Sequence, residues 1–393
     1  MQSKGSAVEV FLAFLWLGLT SFGGPVAHLG YFRNEFVTRR QWLAEQAYAD
    51  LVALCQFLPG PASSQVGFAL GWMRAGPWGA AAAWVAFTLP SALLLVLFAL
   101  GASWLDGGLG QGLIQGLKIT AVAVVAHAVW GMARTLCPDP TRAGIALAAV
   151  ILAVLVPGSW GQIAAIVIGA TTGWVLLRQQ VGATETGAMF TVSPRLGQVA
   201  ALLFVLLLFG LPLWAWWSQT FILQAADAFY RAGALVFGGG HVVLPLLEAA
   251  VVQPGWMGAD AFMSGYGAAQ AVPGPLFTFA AYLGLAMQGG GLAMSALALV
   301  MVFGPGLLLL VAVMPYWQRL RQGRFAPPMM LGANAAVVGI LGAALYDPVW
   351  TSAIVGPYEF ALALSGFLML SVWKQPAWIV VLGMAAGGVL LAF

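Results

Sequence analysis

The chain has 393 residues, 62% of them hydrophobic and only 7% charged. Soluble domains carry about 25% charged residues, so no segment reads as a soluble domain and the chain is an integral membrane protein by composition. Fifteen basic residues against 12 acidic ones give a net charge of +3, too diffuse to suggest nucleic acid; the charges report instead on orientation across a bilayer.

Residues 7–21 form an apolar run behind Lys4. The run resembles a signal peptide, but it ends in Phe22-Gly23-Gly24, an element that recurs in mid-chain at 237, so it is expected to be retained. After Pro25 a second arm leads to Arg33, Glu35, Arg39 and Arg40. Each arm is shorter than the roughly 20 residues of a full span, which leaves a re-entrant hairpin or a short span. The same holds for 46–74, where two arms flank Pro59-Gly60-Pro61, since proline removes a backbone donor and glycine relaxes the turn. Apolar runs follow at 76–103 and 110–132, then shorter ones at 143–156 and 160–178 around Pro157-Gly158. The polar stretch Arg178 to Arg195 marks a boundary, and 197–217 gives one further span. Beyond it come arms at 222–237 and 241–253, arms either side of Pro273-Gly274-Pro275, and spans near 291–314, 329–345, 359–373 and 376–393.

The second set of elements repeats the first. Phe22-Gly23-Gly24-Pro25 corresponds to Phe237-Gly238-Gly239-Gly240, and Gln56-Phe57-Leu58-Pro59-Gly60-Pro61 to Gln270-Ala271-Val272-Pro273-Gly274-Pro275. Trp42 matches Trp256, Pro90 matches Pro305, and the stretch from Gly116 to Val122 matches that from Gly332 to Val338, all at offsets of 214 to 216. The division this predicts is a first repeat over 1–178, a linker and connecting helix over 179–221, and a second repeat over 222–393.

Loop charge reverses between the copies. Arg33, Arg39, Arg40, Arg134 and Arg142 in the first correspond to stretches carrying Glu248, Asp260, Asp347 and Glu359 in the second, whereas the Asp106 loop corresponds to one with Arg319, Arg321 and Arg324. By the positive-inside rule the two halves face opposite ways. The expected fold is therefore an all-α integral membrane protein of two inverted-topology repeats with broken or re-entrant helical hairpins, about nine full spans plus four hairpins. Inverted repeats with interrupted helices are a transporter signature, with the site where the broken ends face each other near the midplane. Irregular backbone survives at that depth only when it lines a cavity or is buried in protein.

The chemistry at the breaks suits an anion. Pro61 opens a half-helix whose first turn holds Ser63 and Ser64, and Pro275 with Thr278 repeats the arrangement. A helix N-terminus offers free N–H donors and partial positive charge, and hydroxyls add donors for oxyanion oxygens. The bland reading is that Pro-Gly-Pro only turns the chain. Lys118 lies inside a span, where an ionisable group is functional by default unless it snorkels to the surface; its counterpart is the neutral Asn334. His28 and His241 follow the two Phe-Gly-Gly breaks and could donate to an oxyanion or carry a proton, against the alternative of packed histidines. Arg33 is either an oxyanion contact or an inner-surface charge. Cys55 and Cys137 have no ligand spacing, and the sequence contains no P-loop, metal cluster or nucleophile elbow. No cofactor, metal or catalytic residue is expected, and transport would run on an ion gradient or on the substrate's own.

These duplicated motifs, Phe-Gly-Gly-Pro…His…Arg-x-Glu and Gln-x-x-Pro-Gly-Pro, make the whole chain resemble the long-chain chromate ion transporter family. The resemblance implies a multi-pass protein of the bacterial inner membrane that exports chromate and confers resistance to it, with sulfate as the similar oxyanion. Carried over to this sequence, its first-half motif points to Phe22, Gly23, Gly24, Pro25, His28, Arg33, Pro59, Gly60 and Pro61. The second copy departs from it, with Gly240-His241 in place of Pro25-Val26 and Ala250 in place of Glu35. The substrate-binding set expected is thus Gly23, Gly24, Pro25, His28, Arg33, Pro59, Gly60, Pro61, Ser63, Ser64 and Lys118 from the first half. From the second come Gly238, Gly239, Gly240, His241, Gln270, Pro273, Gly274, Pro275, Thr278 and Asn334. The coupling ion, a proton or an exchanged anion, and a homodimer are left open. The alternatives are a carrier of sulfate or another oxyanion, a membrane-embedded chromate reductase, and a structural protein without transport.

Overall fold

The computed structural model describes residues 5–101, 108–156, 158–178, 192–237, 240–321 and 325–392. Among them every regular element is helical. Most of the Arg178–Arg195 stretch, the Asp106 loop, Gly238, Gly239 and Arg324 lie outside the described residues.

The first repeat opens with α1 (Ala7–Thr20), capped by the Ser6 hydroxyl, which accepts the Glu9 N–H at 3.1 Å. The chain breaks at Ser21 to Gly23 and resumes as α2 (Gly24–Phe32), continued by a π-helical turn over Arg33–Arg39. Next, α3 (Glu45–Phe57) runs to the Pro-Gly-Pro break, after which α4 (Ala62–Gly101) folds back at Ala75-Gly76. Gly76 takes φ +67°, and Gly71 meets Gly79 backbone to backbone across the fold. The first segment of α4 is thus a half-helix and the second a separate helix. The repeat closes with α5 (Gly108–Leu136), α6 (Pro140–Leu155) and α7 (Ser159–Leu176).

A connecting helix, α8 (Pro194–Ser218), leads to the second repeat. Here α9 (Phe221–Ala234) breaks before a 3₁₀ turn at Gly240–Val242 and α10 (Val243–Val251). Then α11 (Ala259–Ala271) breaks before another 3₁₀ turn at Leu276–Thr278 and α12 (Phe279–Ala286). There follow α13 (Leu292–Val313), α14 (Trp317–Arg321), α15 (Ala326–Ala344) with a π-helical turn at Leu345–Trp350 and α16 (Thr351–Ala353), α17 (Pro357–Ser371) and α18 (Ala377–Leu391). Element by element, α9 to α18 reproduce α1 to α7. Helices α4, α5, α8, α13 and α15 with its extension are long and apolar enough to cross a membrane.

Glycine contacts give the helix directions. Along α5, Gly112 packs on Gly388 and Gly116 on Met384, so α5 and α18 are antiparallel. Along α7, Gly169 packs on Ala336 and Gly173 on Pro328, so α7 and α15 are antiparallel as well. Since α5, α6 and α7 follow one another across short connections, α7 runs the way α5 does. Each helix of the α5/α15 and α7/α18 pairs therefore opposes its counterpart, which is the inversion that loop charge implies.

Two apolar clusters hold the elements together. The larger joins α4 to α7, α9 to α13, α15, α17 and α18. The smaller surrounds Phe14, Phe32 and Phe36 of the first hairpin and Phe87 of α4, whose rings pack on one another. By contrast α8 turns Val199, Leu202, Leu206, Phe209 and Leu213 outward, the surface that a bilayer covers.

Candidate anion site at the helix breaks

The four breaks are tied to one another across the two repeats. Gly60 of the first Pro-Gly-Pro donates its N–H to the carbonyl of Val236 at 2.7 Å, next to the second Phe-Gly-Gly. Reciprocally, Gly274 of the second Pro-Gly-Pro donates to the carbonyl of Ser21 at 2.9 Å, next to the first Phe-Gly-Gly. Both glycines need their lack of a Cβ: they take φ +123° and +102°. A Cβ on Gly60 would lie 2.9 Å from the Gly306 Cα, and one on Gly274 2.9 Å from the Ser91 hydroxyl. Gly240 in turn sits against Pro25, where a Cβ would come within 3.1 Å of the proline ring.

Half-helix N-termini therefore meet here. Pro61 accepts the Gln65 N–H at 2.9 Å as the first bond of α4, so the N–H groups of Ala62, Ser63 and Ser64 have no partner within the helix. The α2 end opens at Gly24 with Pro25 in its first turn. In the second repeat the 3₁₀ turns tighten the same positions, and the Thr278 hydroxyl bonds back to the Pro275 carbonyl at 2.7 Å. Gly23 is exposed and Gly24 and Pro25 are half-buried, so the first break is accessible.

Side chains brace the breaks or stand free beside them. His28, 1% exposed, has Nε2 3.2 Å from the Ser21 carbonyl and Nδ1 3.3 Å from the Ser63 hydroxyl. A carbonyl only accepts, so Nε2 carries the proton and, in the neutral ring, Nδ1 accepts from Ser63. His28 is thus a strut joining the two breaks of its own repeat. Gln65 likewise donates to the carbonyls of Pro59 at 3.0 Å and Gly306 at 2.9 Å. In contrast the hydroxyls of Ser21, Ser64 and Thr88 and the Gln270 amide nitrogen are buried without a hydrogen-bond partner among the described residues. Orphaned donors of this kind lose stability unless a ligand or water takes them, and a tetrahedral oxyanion is made of acceptors.

The family comparison matches twice, to the chromate transporter family over residues 8–174 and again over 223–389. The chain belongs to the chromate transporter family. Similarity to named relatives extends along most of the chain. It is 29% identical to a probable chromate transport protein of Synechococcus elongatus over 84% of this chain and 82% of that one. It is 27% identical to chromate transport proteins of Pseudomonas aeruginosa, over 96% and 90% of the two chains, and of Cupriavidus metallidurans, over 97% and 92%. No solved structure matches.

Within this transporter the residues singled out in the sequence divide into two groups. The contacts just described join Pro25, His28, Pro59, Gly60, Pro61, Ser63, Gly240, Gly274, Pro275 and Thr278 at the breaks, and Gly23, Gly24, Ser64 and Pro273 adjoin them in the chain. His241 bonds the Tyr266 hydroxyl at 3.0 Å rather than standing free, and the Asn334 amide oxygen is buried without a partner among the described residues. Two cations are elsewhere. Lys118 donates from Nζ to Asp260 at 2.6 Å, because the Leu117 carbonyl packs on Gly267 and the lysine runs along α11 to the acid in its first turn. With Asp260 ten residues before Gln270, that carboxylate lies about 15 Å from the break at 1.5 Å per residue. Arg33 pairs with Glu45 at 2.6 Å, both side chains more than half exposed, and Glu35 takes Arg39 and Arg40. Sequence reasoning missed Ser21, Gln65 and Thr88. Their only signal was a polar residue in an apolar run next to a Gly or Pro motif.

Proposed function

We propose that this protein is a secondary transporter that exports chromate across the inner membrane and so confers resistance to it. The dianion is bound where the half-helix N-termini of the two repeats meet, held by backbone N–H groups and by Ser21, Ser64, Thr88 and Gln270. The observation that carries this reading is the reciprocal pair of hydrogen bonds, Gly60 to Val236 and Gly274 to Ser21, beside buried donors that lack partners. Membership of the family and the printed names of the relatives support chromate as cargo. A site made of dipoles and neutral donors also suits a carrier, since full cations at the breaks would hinder release.

The decisive experiment is chromate uptake into inverted membrane vesicles, with and without the protein and with excess sulfate as competitor. Protein-dependent uptake that falls in Ser64→Ala supports the reading. Sulfate uptake that outcompetes chromate would make sulfate the cargo at the same site, since the two dianions share charge and shape. Uptake unchanged by Ser64→Ala and Gln270→Leu would remove the site from the breaks.

A further inference from the structure

A second polar pocket lies away from the helix breaks. It is a cleft of about 220 Å³ between α7, α10 and the end of α15, lined by Gln162, Glu248, Gln253 and Asp347 among apolar neighbours. Glu248 stands on α10 and Asp347 in the π-helical turn after α15. Among the described residues neither carboxylate has a basic side chain within ion-pair distance. Among the described residues, Asp347 accepts a hydrogen bond from the Thr351 hydroxyl alone, at 3.1 Å.

A third oxygen faces the same cleft. Gln162 is 7% exposed, and its Nε2 donates to the Pro245 carbonyl at 3.1 Å. That bond fixes the amide orientation, because the opposite one would set two acceptors face to face. Its Oε1 is left buried, against the cleft, with no partner among the described residues. A water could satisfy the amide oxygen, but it would leave two carboxylates repelling each other across a small cavity. A hard cation satisfies all three, since hard cations take carboxylate and amide oxygens as ligands.

We propose that this cleft binds a hard inorganic cation through the carboxylates of Glu248 and Asp347 and the amide oxygen of Gln162. The carboxylate pair belongs to the second repeat alone, since Arg33 stands at the position equivalent to Glu248 and Gly131 at that of Asp347. Its ligands come from three elements: α10 is the return arm of a broken hairpin, α15 ends in the same repeat, and α7 belongs to the other. A bound cation therefore pins that arm to both repeats.

The test is thermal unfolding of the purified full-length protein in nanodiscs, with sodium, potassium, magnesium or calcium chloride against choline chloride at matched ionic strength. A ligand that binds only the folded state raises Tm with a saturable dependence on its concentration. The expected result is such a rise with at least one inorganic cation, lost in Glu248→Gln/Asp347→Asn and weakened in Gln162→Leu. The double variant should be at least as stable as wild type in choline, because it removes like-charge repulsion; its loss of response then cannot come from misfolding. No protection beyond choline, equal protection in the double variant, or a shift that follows pH alone would each overturn the proposal. No arm uses chromate, so the outcome is independent of the cargo.

Discussion

Replacing Gly60 by alanine strikes the contact that ties the repeats together. Gly60 sits at φ +123°, where an L-residue carries backbone strain of about 1–3 kcal/mol. Its new Cβ would lie 2.9 Å from the Gly306 Cα and 3.0 Å from the Gln65 amide, and the first of these is backbone with no side chain to move aside. The backbone must shift, which breaks the 2.7 Å bond to Val236, a net loss of about 0.5–1.5 kcal/mol. The sum is about 1.5–4.5 kcal/mol, or roughly 3–9 °C in Tm at about 2 °C per kcal/mol, the low end for larger domains. Gly274→Ala meets the same strain, but its nearest obstacle is the Ser91 hydroxyl, which can rotate. Gly274→Ala should therefore be the milder variant, and Ser91→Ala should partly rescue it, while nothing at 306 can be shortened to rescue Gly60→Ala. Thermal unfolding in detergent, followed by tryptophan fluorescence, compares these three variants with wild type. Wild-type stability for Gly60→Ala, or a greater loss for Gly274→Ala, would refute the reasoning.

Three further outcomes are expected. Gly116→Leu and Gly332→Leu should each destabilise by at least about 2 kcal/mol, since Gly116 meets the Met384 carbonyl and Gly332 the Gly169 carbonyl backbone to backbone; equal Tm to wild type in either would contradict the packing. Lys118→Met should cost less than about 1 kcal/mol, because its partner Asp260 is 77% exposed and stays solvated; a larger loss on denaturation would show that the pair is buried. Asp139 caps α6 outside the membrane, and the Arg142 backbone N–H, then the Arg142 guanidinium, hold its carboxyl below the usual carboxylate range. A depressed carboxyl contributes stability above its ordinary pKa and loses it as pH falls through the lower folded one. The Tm advantage of wild type over Asp139→Asn should accordingly be present at neutral pH and vanish in acid; an advantage that grows in acid would contradict the pairing.

Much of this architecture was legible because the repeat leaves marks that do not depend on distant contacts. Phe-Gly-Gly and Pro-Gly-Pro interrupt the helices locally, so their positions in the chain fix the breaks, and loop charge gives the inversion that the α5–α18 and α7–α15 contacts display. Partner choice was not legible. Asp260 lies 142 residues beyond Lys118, and only the packing of Leu117 on Gly267 makes it the nearest acid. His28 reads as a donor to an oxyanion, yet both its ring nitrogens are engaged, by Ser21 and Ser63. The buried charge that stood out in the sequence thus lies off the breaks. The donors beside them are the hydroxyls and amides that an apolar run conceals.

Whether the oxyanion sits between the breaks of the two repeats is decided by equilibrium binding of radiolabelled chromate to the purified protein. The expected result is saturable binding that is weakened in Ser64→Ala and in Gln270→Leu and retained in Lys118→Met. Binding that survives both break variants and disappears with Lys118 would contradict it.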